Sequence, residues 1–227
     1  RKAQFSLAEV SMTRELRAEI GNIATHALGI IMSIIALGLG VWSLWQFHAA
    51  PLAHAALWVY GLCAVALYTA STVYHSLFAA PLARKVARRF DHAAIYLMIA
   101  GSYTPFLWIA LPNRGGFTWS IVIWGIAIVG IIFKVFYAGR FKTISTLLYL
   151  AMGWLAVVMW PDLTASLPTA AIHLLLAGGV VYTLGSIFYL WQKLPYQHVI
   201  WHVCVLAGSS LQWLAIQLYV LPLGGLL

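Results

Sequence analysis

Two histidines, His198 and His202, stand four positions apart near the start of an apolar run. On a helix this spacing stacks the two rings on one face, where both can bind a single metal ion. A third histidine, His75, lies near the end of another apolar run, and Asp91 begins a further one. Three imidazoles and a nearby carboxylate in a helical bundle are typical of a zinc site that keeps one position open for water.

The residue types alone leave other interpretations open. Eight histidines in 227 residues give a pair four apart by chance often enough that His198 and His202 alone prove little. Ser71, one turn before His75, either holds a water or the imidazole ring, or bonds to a carbonyl of its own helix. Asp91 is either a partner of metal-activated water or a carboxylate favoured by a helix N-terminus.

The composition indicates a membrane protein. Hydrophobic residues make up 63% of the chain and charged residues 8%, whereas a soluble domain carries about 25% charged residues. A chain of 227 residues holds about seven spans of roughly 20 residues and no sizeable soluble domain. We therefore expect an all-α membrane protein: a seven-transmembrane-helix bundle at 21–227, preceded by a short cytoplasmic or interfacial arm at 1–20 without a cleavable signal.

Apolar stretches bounded by charges, Pro and Gly predict the spans. They are residues 21–46, 54–78, 91–111, 117–138, 143–160, 169–191 and 197–221. The joints between them are short. They include a basic joint at 81–89 and an acidic one at 161–162.

The distribution of cations predicts the orientation. Twelve of the 13 Lys and Arg residues lie on the side of the N-terminal arm, and Arg114 lies on the other. Cytoplasmic joints are enriched in Lys and Arg, so we expect the N-terminus in the cytoplasm and the C-terminus outside. The net charge of +8 then reflects topology, and we expect no nucleic acid partner.

This topology predicts one shared site. Seven polar residues at span ends fall in the inner leaflet, although they come from separate stretches of the chain. They are Glu19, Asn22, His26, His75, Asp91, His198 and His202. Three other histidines, His48, His54 and His173, fall at outer ends and are expected to be interfacial. Cys63 and Cys204 have no CxxC spacing and are expected to fill the core.

Several segments resemble the hemolysin III proteins of bacteria, which are similar to progestin and adipoQ receptors and to the membrane hydrolases that include alkaline ceramidases. The resemblance spans nearly the whole chain, and its motifs are specific in combination. The segments that carry it are 19–26, 71–75, 90–105, 130–134, 149–154 and 198–202.

The resemblance implies seven helices, a cytoplasmic N-terminus and a zinc ion, Zn²⁺, bound by His75, His198 and His202. It places Asp91 near the zinc-bound water and gives Ser71 the position of the family's serine. It leaves the role of Glu19, Asn22 and His26 open.

A zinc-activated water within the inner leaflet suits a substrate that arrives through the membrane. We expect hydrolysis of a membrane lipid amide, as in the ceramidase-like relatives, in a multi-pass protein of a bacterial inner membrane. The alternatives are a non-enzymatic regulator or sensor with a structural zinc, and a pore-forming hemolysin, which rests on the family name alone. The sequence leaves the oligomeric state open.

Overall fold

The structure, a computed structural model, describes residues 7–138 and 140–227, with side chains from residue 13 onward. Residues 1–6 of the predicted arm and Gly139 in a predicted joint lie outside these ranges. Every regular element of the described residues is helical. The prediction of an all-α protein is therefore confirmed.

The helices follow one another through short turns. In chain order they are α1 (Leu7–Gln46), α2 (Pro51–Ser76), α3 (Pro81–Pro105, continued by a π-helical turn at Phe106–Ala110), α4 (Gly116–Tyr137), α5 (Lys142–Gly153, continued by a 3₁₀ turn at Trp154–Val157), α6 (Trp160–Ser166), α7 (Thr169–Leu190) and α8 (Gln197–Ala215, continued by a π-helical turn at Ile216–Val220 and a 3₁₀ turn at Leu221–Leu226).

Among the described residues, six helices are long and apolar enough to cross a membrane, and the pair α5 and α6 makes a seventh span with a bend of 53°. Large apolar side chains such as Ile121 and Phe136 are exposed on the outer surface. In lipid such exposure costs little, whereas in water it would favour aggregation. The fold is thus the predicted seven-helix membrane bundle, while the orientation of its termini stays a prediction.

The helices form a ring around an internal space. Helix α1 packs against α2 and α8, α2 packs against α3, and α7 packs against α8. Helix α5 contacts both α3 and α7 and closes the ring, while α4 lies outside against α3. The contact of α7 with α8 depends on small residues: a Cβ added at Gly208 would lie 2.9 Å from the ring of Tyr182.

Two predicted joints are helical in the structure, and these predictions were wrong. The basic segment 81–89 forms the first turns of α3, and the acidic segment 161–162 lies inside α6. Pro81 and Pro161 stand in the first turns of their helices, where the missing N–H is not needed. The charged residues of this segment set the beginning of the apolar span just after Phe90. The helix nevertheless begins earlier, at Pro81, because Leu, Ala, Arg and Lys are good helix formers.

Candidate metal centre

Three histidines from two helices meet at the predicted inner end of the bundle. His75 lies in the last turn of α2, and His198 and His202 lie in the first two turns of α8. The ligand atoms of all three lie within 4.8 Å of one another. His75 is 3% exposed and His202 is 2% exposed. In the part of the chain that the structure describes, this is the group of donors that could share a metal ion.

The ring of His75 is oriented by Glu19 of α1. Nδ1 of His75 lies 2.6 Å from Oε2 of Glu19, and the other carboxylate oxygen accepts a hydrogen bond from Arg84. A proton on Nδ1 therefore points at the carboxylate and leaves Nε2 with a free lone pair. Among the described residues, Nε2 of His75 is buried and has no hydrogen-bond partner. This is the state expected of a nitrogen that faces a metal.

The ring of His202 is oriented by the same stretch of α1. Its Nδ1 lies 3.3 Å from the carbonyl oxygen of Asn22 and 3.4 Å from the hydroxyl of Thr25. Because a carbonyl only accepts, the proton sits on Nδ1 and Nε2 is left as a ligand. His26 stacks on the ring of His202, with centroids 3.5 Å apart and planes at 12°. Helix α1 thus sets both the tautomer and the plane of this imidazole.

The donor set fits a metal ion that prefers imidazole. The ring of His198 lies 5.0 Å from that of His75 and 4.6 Å from that of His202, measured between centroids. Metal-bound histidines usually donate their second ring N–H to a carboxylate or a backbone carbonyl. His75 and His202 do so here, one to each type of acceptor. Three neutral imidazoles suit zinc, copper, iron or nickel.

Asp91 lies within α3 and not at its start. It is the eleventh residue of the helix, so the alternative in which Asp91 is a carboxylate favoured by a helix N-terminus is excluded in this structure. The stabilising effect of an N-terminus fades within the first turn. The carboxylate is 7% exposed, interacts with His75 and Ser71 and lies 3.9 Å from Nε2 of His92. Its position beside the histidines needs another explanation than the helix dipole.

Ser71 makes no hydrogen bond to its own helix. Its hydroxyl is buried and lacks a hydrogen-bond partner among the described residues. By contrast, Thr72 donates to the carbonyl of Tyr68 at 2.8 Å, and Ser76 donates to that of Thr72 at 2.7 Å. The alternative in which Ser71 bonds to its own helix carbonyl is therefore excluded in this structure. The hydroxyl faces Asp91 instead.

His198, His202 and Asp91 line an open cavity of about 1620 Å³, a volume that includes solvent space at its mouth. Its wall is largely apolar and comes from α3, from the bent α5 and α6 pair, and from α7 and α8, with His26 and Ser71 at the polar end. Both Asp91 and Phe106 line the cavity. The 15 residues from one to the other span roughly 22 Å at about 1.5 Å per residue.

The structure also places the residues whose role the sequence left open. Glu19 and Asn22 contact His75 and His202 directly. His26 is 3% exposed, lines the cavity and has no hydrogen-bond partner on either ring nitrogen within the described structure. The outer histidines, which are His48, His54 and His173, are not among the residues that line the cavity.

Comparison with known proteins shows one consistent similarity. The family described as Haemolysin-III related matches residues 14–213. The chain is 45% identical over 211 residues to Hemolysin-3 of Bacillus cereus, which covers 93% of this chain and 95% of that protein. It is 38% identical over 210 residues to a Hemolysin-3 homolog of Bacillus subtilis, covering 90% and 95%. A more distant relative is the human Monocyte to macrophage differentiation factor, 29% identical over 206 residues, covering 88% and 83%.

Proposed function

The chain belongs to the Haemolysin-III related family, and we propose that it is a zinc-dependent hydrolase that cleaves an amide bond in a membrane lipid. Its family and its spans make it a multi-pass protein of the bacterial inner membrane. One observation carries the proposal: three histidines, each with a ligand nitrogen within 4.8 Å of the others, stand at the polar end of a long apolar cavity.

The proposed ligands are His75, His198 and His202. Three protein ligands leave a position open, which is the pattern of catalytic zinc, whereas structural zinc usually takes four. When bound there, zinc would supply Lewis acidity that polarises a carbonyl and makes water nucleophilic near neutral pH. Glu19 and the carbonyl of Asn22 keep the ring protons of His75 and His202 away from the ion.

Asp91 is the proposed proton carrier. Its carboxylate is buried, lines the cavity and lies beside His75, so it can accept a proton from the attacking water and return it to the leaving amine. Ser71 faces Asp91 with a hydroxyl that no other described group uses. A hydrogen bond from this hydroxyl would hold the carboxylate in one orientation while the proton moves.

A lipid substrate follows from the shape and lining of the cavity. Its roughly 22 Å length along α3 is about three quarters of the roughly 30 Å hydrocarbon thickness of a bilayer. Apolar side chains such as Met98, Leu107 and Leu176 line the wall beyond the histidines. An acyl chain would bury its methylenes against this wall and bring an adjoining amide to the polar end.

A non-enzymatic regulator with a structural zinc is the second candidate. The three histidines join α2 to α8, and their partners Glu19 and Asn22 add α1 to the same cluster. A metal ion would therefore tie three helices together even without chemistry. A pore-forming activity rests on the names of two relatives, and the short turns between apolar helices favour a resident membrane protein over one that inserts later.

Turnover separates the two candidates. Purified protein with bound zinc is incubated with isotopically labelled lipid amides, and the release of labelled fatty acid is measured. For wild type we expect fatty acid release, and for Asp91→Asn a rate lower by about 10² to 10⁴-fold with unchanged zinc. Asp162→Asn is the control, since this carboxylate is exposed and pairs with Arg114. Absence of release from every lipid amide tested, with zinc present, would favour the regulator.

A further inference from the structure

Three cations lie near His92 at the polar end of the cavity. Arg88 and His92 lie one turn apart on α3, Lys134 lies in the last turn of α4, and Lys142 begins α5. His92 lines the cavity, whereas Arg88, Lys134 and Lys142 lie behind its wall. By the predicted topology Arg88 lies about one helical turn nearer the cytoplasm than Asp91.

Lys134 is buried beside the cavity wall. Its side chain is 2% exposed, and Nζ donates a hydrogen bond to the hydroxyl of Ser145. It lies 5.9 Å from the ring centroid of Tyr149. Tyr149 lines the cavity and donates a hydrogen bond to the carbonyl of His92 at 3.0 Å. One aromatic ring therefore separates this ammonium from the polar end.

Lys142 also lies behind a tyrosine, on the other side of the polar end. Nζ donates to the carbonyl of Tyr189 at 2.8 Å and lies 4.0 Å from the centroid of its ring. The ring of Tyr189 lines the cavity and is 5.6 Å from that of His198. The two lysines thus flank the histidines, each behind one tyrosine.

These cations have no ion-pair partner among the described residues. In the described part of the chain, no carboxylate lies within 4.0 Å of Arg88, Lys134 or Lys142, since the ion pairs join other residues. Nε of Arg88 and Nδ1 of His92 are buried without hydrogen-bond partners. Lys134 is buried, and a buried cation without an anion is unfavourable and, within a membrane helix, tends to mark a functional site. The remaining negative charge nearby is that of Asp91, which the proposed reaction uses.

We propose that this cluster, formed by Arg88, His92, Lys134 and Lys142, is a subsite for the anionic head group of the lipid. The substrate class is then an N-acyl lipid that carries a carboxylate or phosphate close to its amide. The acyl chain lies along the apolar cavity, the amide lies at the histidines, and the anion lies toward the cytoplasm. The position of the amide in this assignment rests on the proposed hydrolysis. The preference for an anionic head group does not depend on hydrolysis.

Equilibrium binding of two matched lipids tests the subsite. N-oleoylglycine and N-oleoylethanolamine share the acyl chain and the amide and differ in the charge of the head group. Binding is measured with labelled lipid and purified protein in neutral detergent. Wild type should bind the anionic lipid roughly tenfold more tightly, since the field of nearby cations stabilises an anion in a low-dielectric cavity even without direct contact. Equal affinity for the two lipids would overturn the proposal.

Single and double substitutions identify which lysines cause the preference for the anionic lipid. Lys142→Gln should reduce the preference for the anionic lipid several-fold, and the double variant Lys134→Gln with Lys142→Gln should abolish it. Lys193→Gln is the control and should retain the preference, because Lys193 is exposed in the turn before α8. Thermal unfolding is recorded for each variant. If the buried Lys134 variant does not fold, Lys142→Gln alone decides, and an unchanged preference in that folded variant would contradict the subsite.

The test is independent of turnover. His75→Ala, which removes a proposed zinc ligand and should stop hydrolysis, is expected to keep the preference for N-oleoylglycine. Loss of the preference in this variant would mean that the anion binds at the metal and not at the cationic cluster. Absence of hydrolysis in wild type would sink the proposed reaction and leave the anionic subsite standing.

Discussion

The carboxylate of Glu19 lies 2.6 Å from Nδ1 of His75, although the two residues are 56 positions apart in the chain. Arg84 holds the other oxygen of the same carboxylate. The contact joins α1 to α2 at the point where the histidines meet. It makes the start of α1 part of the candidate metal centre.

Removal of the Glu19 charge is predicted to weaken zinc binding. In Glu19→Gln the amide is a poorer acceptor for the Nδ1 proton, so the orientation of His75 is less well fixed. Loss of such a partner usually lowers metal affinity by about 10 to 100-fold. Competition with a zinc chelator measures the affinity. Glu15→Gln is the control, because Glu15 is exposed one turn earlier on α1, and an equal effect of both changes would argue against the role of Glu19.

Ser71→Ala is predicted to affect turnover and not folding. The hydroxyl makes no bond within its helix, so its removal should leave the melting temperature nearly unchanged. If it orients Asp91, kcat falls by roughly tenfold while zinc content is retained. Ser76→Ala is the matched control, since that hydroxyl bonds to its own helix and is exposed. A kcat for Ser71→Ala equal to that of wild type would remove Ser71 from the site.

A larger side chain in the cavity is predicted to change the preferred length of the acyl chain. Leu176 of α7 lines the cavity, and Leu176→Trp would shorten the space beyond the histidines. Turnover of a long-chain amide should fall by roughly tenfold relative to a short-chain amide. Leu184→Trp is the control on the same helix, because Leu184 is 48% exposed on the outer surface. If the two variants have the same chain-length profile, the acyl chain lies elsewhere.

Much of the fold was predictable because each membrane span is a long run of apolar residues that can be recognised in the sequence. The meeting of His75 with His198 and His202 followed from placing each run end on one side of the membrane. The ends of helices were less predictable, since the basic segment 81–89 ends the apolar run but continues the helix. Asp91 is therefore inside α3, although its proximity to the histidines was predicted.

The partners of the histidines could not be predicted from the sequence. Which face of α1 turns toward α2 and α8 depends on packing across the bundle, so the contacts of Glu19 and Asn22 with the rings needed the structure. The burial of Lys134 could not be predicted from the sequence either. At sequence level it counts as one more cation near a span end, whereas in the structure Ser145 and Tyr149 enclose it.

Zinc content decides whether His75, His198 and His202 form a metal centre. Metal is measured by mass spectrometry in purified wild type, in His75→Ala, His198→Ala and His202→Ala, and in His54→Ala, whose histidine does not line the cavity. We predict about one zinc ion per chain in wild type and in His54→Ala, because His54 lies at the opposite end of α2 from His75, and almost none when any one of the three ligands is removed. Equal zinc in all five proteins, or none in wild type purified with zinc, would contradict the account.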